Sequence, residues 1–175
     1  MSTGAVDAIS RPCRSGEEVV AFLKEKLGPG LEESRVQQTA AGVKKTSFDT
    51  VWVRVKREAL RQVVLALKEI QFPRLSVISA YDAGEEIVLI YHFGIQYGVR
   101  FSLIHVNIEV RLPKEDPKVD TIHDLIPGAV ISEREKRELI GVEVDGLPPM
   151  ENFFLPEDFP AGVHPWRKDE SGIKH

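Results

Sequence analysis

The sequence predicts an α+β fold: a two-layer sandwich with helices on a mostly antiparallel sheet, followed by an extended C-terminal tail. Three observations lead there. Two amphipathic segments with helix start and stop signals alternate with strand-like runs, in the order helix, two strands, helix, three strands. The connections between the later runs are short and carry glycine. Beyond Leu112 the regular periods give out, and a charged, then proline- and aromatic-rich stretch takes over.

Residues 1–14 are small and polar with one proline, and read as a mobile lead-in. In "SGEEVVAFLKEKLGPG", Ser15 and Glu18 have capping-box spacing, which satisfies backbone donors at a helix start. Val19, Val20, Leu23 and Leu27 share one stripe, and Gly28-Pro29-Gly30 stops the helix. Two strands are expected next, about Leu31–Thr39 and Thr50–Val55, joined by a polar turn around Gly42. Leu60, Val63, Val64, Leu67 and Ile70 form the inward stripe of a second helix, with Pro73 beyond its end. Three strands follow, about Leu75–Ala80, Glu86–Phe93 and Val99–Val110. "DAGEE" and "GIQYG" connect them. The apolar phase slips within the last run, from Phe101 and Leu103 to Ile104, Val106 and Ile108. A bulge or two-sided burial would explain it.

A chain of 175 residues supports one core, so a single domain over residues 15–146 is expected, with residues 147–175 as the tail. The formal net charge of −4 argues against a general nucleic-acid binder, which needs basic excess to neutralise phosphates. Cys13 is the single cysteine, so no internal disulfide forms, and a reducing compartment is the natural setting. No run approaches the roughly 18 apolar residues of a membrane span. The N-terminus lacks the apolar core of a signal peptide.

The acidic stretch "ISEREKRELIGVEVDG" admits three readings: an acid/base centre, a metal site, or a capped surface helix. Ser132 and Glu135 have capping-box spacing, and Glu133 and Glu135 would lie in a first turn, where the helix dipole favours anions. Glu133 with Arg137, and Arg134 with Glu138, are spaced to pair along the helix. The structural account therefore outweighs catalytic carboxylates. His92, His105, His123, His164 and His175 show no compact ligand spacing. His123 with Glu133, Glu135 or Glu138 is the remaining way to build a small enzyme. Neither phosphate-binding glycine pattern is present. No catalytic, cofactor-binding or metal-binding residue is assigned. In the tail, five prolines break any period, yet Phe153, Phe154, Leu155, Phe159 and Trp166 are too apolar for a solvated segment. Such a tail lies along a surface, its own or a partner's, and a partner is the favoured expectation.

Two separated motifs carry a resemblance. Glu133, Arg134 and Glu135, then Glu138, Leu139, Ile140 and Gly141, precede a Leu155-Pro156-Glu157-Asp158-Phe159 run that ends in Arg167-Lys168-Asp169. Together they resemble the 30 kDa subunit family of respiratory complex I and its relatives, the energy-converting membrane-bound hydrogenases. The "GVHPWRKDE" ending looks most like the archaeal hydrogenase branch and its sulfur-reducing sister complexes. The resemblance implies a non-catalytic peripheral-arm subunit without a cofactor of its own. It implies packing on a hydrogenase-like large subunit or its quinone-site equivalent. A [NiFe] centre and iron–sulfur clusters would then sit in partner subunits, the membrane arm would be linked indirectly, and the chain would lie on the cytoplasmic side of the cell membrane. It further implies partner docking through Glu133, Arg134, Glu135 and Glu138 and through Phe153, Phe154, Phe159, Trp166 and Arg167, the last paired with a partner carboxylate.

Overall fold

Helix α1 (Gly16–Leu27) starts at the expected capping box: the Glu18 amide donates to Ser15 Oγ at 3.2 Å, and the Ser15 amide donates to Glu18 Oε2 at 2.7 Å. Gly28 ends it at φ 49°, a left-sided conformation that glycine reaches without a side-chain penalty. The computed structural model describes residues 13–41, 43, 46–149, 151–169, 171 and 172. Most of the expected lead-in and the turn residue Gly42 lie outside them.

Strands β1 (Leu31–Ala41) and β2 (Thr46–Val55) form an antiparallel hairpin. A single 3-10 turn at Arg57–Ala59 leads into α2 (Leu60–Ile70), and β3 (Arg74–Asp82), β4 (Glu86–Ile95) and β5 (Ile104–Pro113) follow as an antiparallel meander. Strand β5 inserts beside β2 in parallel, giving the order β1-β2-β5-β4-β3. The α2–β3–β4 excursion supplies the long connection that a parallel pair needs.

One face of this sheet is apolar. Val51, Val53, Val55, Ile78, Leu89, Tyr91, Phe93, Val106, Ile108 and Val110 join Val19, Leu23, Leu60, Val63 and Leu67 of the helices in one core. Fully burying each of the larger side chains is worth about 1.5–3 kcal/mol. The opposite face carries Trp52, Arg54, Asn107, Glu109, His92 and Ser79, so period-two alternation is kept. Asn107 Oδ1 and Ser79 Oγ hold the two His92 ring nitrogens at 2.8 and 2.9 Å. His92 is thus a satisfied sheet-face residue.

The structure corrects three expected boundaries. Strand β2 begins at Thr46 rather than Thr50. The last long strand begins at Ile104 rather than Val99. Residues 96–103 form a loop in which Gln96 and Phe101 have φ of 59° and 64°. Ser102 Oγ donates to the Gln96 and Val99 carbonyls, replacing ladder bonds, and this accounts for the phase slip. Helix α3 spans Ala129–Ile140, starting three residues ahead of the expected Ser132 cap. Hydrogen bonds from the Ile126 amide to the Ile122 carbonyl and from Ala129 to Ile126 wind the chain before Ser132 is reached. Ser132 and Glu135 therefore form no capping box.

Short strands β6 (Lys118–Asp120) and β7 (Glu143–Asp145) pair in parallel and bracket α3. Three-residue strands carry no readable period, and neither was anticipated. Val119, Ile122, Ile126, Ile140, Val142 and Val144 extend the same core beneath α3, which packs along β3. Among the described residues, no helix is long and apolar enough to cross a membrane.

Candidate docking surface on the third helix and the tail

α3 is unusual in what it buries. Glu133, Arg134, Lys136 and Glu138 are all at most 5% exposed, although the sequence reads as a charged surface helix. Each buried charge therefore needs a partner inside the chain.

Glu133 takes its partners from the segment before the helix. Its Oε1 accepts the Ile122 amide at 2.7 Å and its Oε2 accepts Thr121 Oγ1–H at 2.5 Å. Burial pushes its carboxyl above the ordinary range, and these two donors limit the rise. Thr121 Oγ1 also lies 2.9 Å from His123 Nδ1, so the structure does bring His123 and Glu133 together, bridged by Thr121. Glu138 is elsewhere. The neighbouring Asp124 is held by Arg61 through two bonds of 2.7 Å, and that pairing takes its carboxyl down to about 2. Glu133 thus ties the 121–124 turn to the helix, replacing the expected first-turn dipole role.

Glu138 faces the tail. Its carboxylate accepts three successive backbone amides: Phe153 at 2.9 Å, Phe154 at 2.7 Å and Leu155 at 3.0 Å. Burial alone would raise its carboxyl, but the three amides outweigh it and hold the group below the ordinary carboxylate range.

Arg167 serves the same junction, where it meets carbonyls of its own chain in place of the expected partner carboxylate. Its side chain is 8% exposed, with Nε donating to the Ile140 carbonyl at 2.6 Å and Nη2 to the Gly141 carbonyl at 3.3 Å. These are carbonyls at the end of α3, where a cation is favoured by the helix dipole. The Trp166 amide donates to the Leu139 carbonyl at 2.8 Å, and His164 Nδ1 to the Glu138 carbonyl at 3.0 Å. Gly141, at φ 73°, closes the helix. A Cβ there would come within 2.5 Å of the His164 ring. Further on, the buried Asp82 accepts the Lys168 amide and Lys114 Nζ, and Lys114 also pairs with Asp169 at 2.7 Å. Burial raises the Asp82 carboxyl, but these donors bring it below its ordinary range.

The tail backbone is thus bolted to its own domain: of the two surfaces along which it was expected to lie, its own holds the backbone. What it presents outward are rings. Phe153 is 62% exposed, Phe154 38% and Trp166 41%. Phe153 and Phe154 stack edge to face at 5.1 Å, and Lys136 Nζ sits 4.9 Å from the Trp166 ring centroid while pairing with Glu135. Phe159 is half-buried. Arg134 is 2% exposed; Nη2 donates to the Pro148 carbonyl at 3.4 Å, and Nε and Nη1 have no acceptor among the described residues. Of the nine sequence-predicted docking residues, Glu133, Arg134, Glu138 and Arg167 are therefore internal. Glu135 and the aromatics remain at or near the surface.

Sequence reasoning missed Lys136, His164, Asp82 and Lys114. Lys136 sits between two motif glutamates and His164 follows a glycine and a valine, but neither spacing signals burial. Among the described residues, no group of three or more His, Cys, Asp or Glu could hold a metal ion.

Residues 53–175 match the family described as respiratory-chain NADH dehydrogenase, 30 Kd subunit. The chain is 31% identical over 126 residues to the membrane-bound hydrogenase subunit beta of Pyrococcus furiosus, covering 71% of this chain and 72% of the relative. It is 33% identical over 122 residues to an NADH-quinone oxidoreductase subunit from Acidothermus cellulolyticus, covering 66% of this chain and 60% of that protein. Its fold superposes, with a TM-score of 0.70 and 27% identity, on a chain of the membrane-bound sulfane sulfur reductase, an archaeal respiratory membrane complex. That match covers 89% of this chain and 85% of the other.

Proposed function

The chain belongs to the respiratory-chain NADH dehydrogenase 30 kDa subunit family, and from that premise we propose that it is a non-catalytic scaffold subunit of a membrane-bound, energy-converting [NiFe]-hydrogenase-type complex, which couples electron transfer to ion translocation. Its partners are other subunits of a complex I-like assembly, as they are for its relatives. The observation that carries the hydrogenase reading is the similarity to the hydrogenase beta subunit, which spans most of both chains.

The geometry supports a scaffold role. In α3, Glu133 accepts a backbone amide from the segment before the helix, and Glu138 accepts three from the tail and so fixes its course. The tail in turn holds Phe153, Phe154 and Trp166 in preset outward positions. Preset aromatics lose little freedom on docking, which favours their use as interface anchors. Their partner is a hydrogenase-like large subunit, with iron–sulfur subunits nearby. The [NiFe] centre and the clusters belong to those partners, and the assembly's peripheral arm lies on the cytoplasmic side of the cell membrane.

A second reading, the equivalent subunit of a sulfur-reducing complex, is favoured by the sulfane sulfur reductase likeness. Affinity purification of the tagged chain from mildly solubilised native membranes tests both. Co-purification of a [NiFe]-type large subunit with hydrogen evolution supports the first reading. A large subunit with sulfur-reducing activity and no hydrogen evolution moves the assignment to the second. A chain that purifies alone sinks the scaffold proposal.

A further inference from the structure

The end of the sheet opposite the tail bears its own apolar cluster. Tail residues reach Asp82 and Lys114, at the end of β3 and just beyond β5. The Gln96–Leu103 loop joins β4 to β5 at the other end. There Phe72 is 50% exposed, Tyr97 36%, Val99 45% and Phe101 56%. Isolated exposed apolar residues need no explanation, but four on adjacent segments form a patch.

This patch is held rigidly. Tyr97 Oη donates to the Phe72 carbonyl at 2.8 Å, joining the loop to the segment before β3. Gln96, only 8% exposed, is the hub: its amide donates to Gln71 Oε1 at 2.6 Å and its Nε2 to the Arg14 and Ser102 carbonyls. The loop also carries strain. Phe101 sits at φ 64° and Gln96 at φ 59°, a region that L side chains with bulk avoid. Hydrogen bonding to Gln71, Arg14 and Ser102 accounts for Gln96. For Phe101, the strained backbone turns a large ring into water, and strain of this kind gathers at functional sites.

Charge at the patch has one sign. Arg100 lies over the Phe101 ring at 4.6 Å and Lys68 over the Phe72 ring at 5.5 Å. Neither Gln71–Arg74 nor Gln96–Leu103 contains an acidic residue, and nearby Glu69 is paired with Lys26 at 2.6 Å.

We propose that this loop cluster is a second docking surface, separate from the tail, whose occupant is a segment of a neighbouring subunit bearing apolar and acidic side chains. The inference rests on the reading of the chain as a complex subunit. Apolar side chains of the occupant cover Phe101, Val99 and Phe72, and its carboxylates meet Arg100 and Lys68. A protein occupant fits better than a lipid surface. A frame fixed by side-chain hydrogen bonds favours a partner of fixed shape, whereas anionic membranes bind mobile polybasic tracts.

The test compares the wild-type chain with Phe101→Asn, Arg100→Glu and their double variant, each tagged and expressed in cells lacking the native copy. Asparagine tolerates the left-handed backbone, so Phe101→Asn removes the ring and leaves the turn intact. The double variant is expected to melt like the wild-type chain yet recover at least tenfold less of the assembled complex. Normal recovery of the complex with the double variant overturns the proposal. If the wild-type chain itself recovers no partner subunits, the scaffold reading fails first, which separates the two failures. Replacing Phe101 by p-benzoylphenylalanine and irradiating the purified complex is expected to cross-link an acidic, apolar segment of a neighbouring subunit. A cross-link to lipid overturns it. So does binding of the isolated chain to vesicles of phosphatidylglycerol, but not phosphatidylcholine, that Arg100→Glu abolishes.

Discussion

Arg167 closes the helix that ends at Ile140: its Nε donates to the Ile140 carbonyl at 2.6 Å, from 27 residues further along the chain. One side chain of the tail thereby satisfies acceptors that a helix end otherwise leaves to solvent. Arg167→Ala is expected to destabilise the isolated chain by about 1.5–3 kcal/mol, the scale of hydrogen bonds to a charged group. Urea unfolding measures it. A loss confined to assembly, with unfolding unchanged, would return Arg167 to a partner carboxylate.

Glu138 anchors the start of the tail through three amides. Glu138→Ala leaves those donors bare, so the amides of Phe153, Phe154 and Leu155 are expected to exchange at least tenfold faster. Glu138→Gln, which keeps one acceptor oxygen, falls between. Exchange at α1 and β5 amides is expected to stay unchanged. Uniform acceleration across the chain would mean that the tail and core unfold together.

The folded-state carboxyl of Glu138 titrates below its ordinary 4.5. A depressed carboxyl contributes stability that is present above the unfolded value and is lost as pH falls through the folded one. The clamp is therefore expected to hold at pH 5 and above and to release progressively below about 4.5. Asp82, also depressed, loses its hold on Lys168 at lower pH, as the medium falls below its ordinary 3.8. Amide shifts of residues 153–155 followed by NMR against pH give the midpoint. A midpoint at or above 4.5 contradicts the three-amide clamp on Glu138.

Glu133→Ala is a stronger test of α3 than its sequence suggests. A first-turn glutamate would be worth about 0.3–1 kcal/mol. The buried carboxylate instead satisfies Ile122 N–H and Thr121 O–H, and each donor left bare costs about 1–3 kcal/mol. A loss under 1 kcal/mol in denaturant unfolding would restore the surface reading.

Arg134 gives the opposite sign. Its Nε and Nη1 are buried without acceptors among the described residues, so Arg134→Met is expected to leave the isolated chain as stable or to stabilise it by about 1–2 kcal/mol. A loss above 2 kcal/mol in thermal or urea unfolding would show that the guanidinium is better paired than this geometry allows.

Helices α1 and α2, the β1–β2 hairpin and the three-strand meander were legible because local chemistry specifies them. Ser15 and Glu18 cap through atoms three residues apart, and Leu60, Val63, Val64 and Leu67 share a stripe whatever covers it. The slip between Phe101 and Ile104 was visible as well, but only Ser102's bonds to Gln96 and Val99 decide that a loop produces it.

From its residues alone, the sequence determined the α+β class, the order of the elements from α1 to β5, and the pair of motifs that marks the 30 kDa family. Tertiary structure alone decided that β5 enters beside β2, that Glu133 and Glu138 are buried, and that Arg167 ends on Ile140. The division has a physical cause. Helix caps and hydrophobic periods act over a few residues and leave a local signature. A buried carboxylate looks like a solvated one in sequence, because most of its partners, here backbone amides 11 to 17 residues away, carry no side-chain identity to be read.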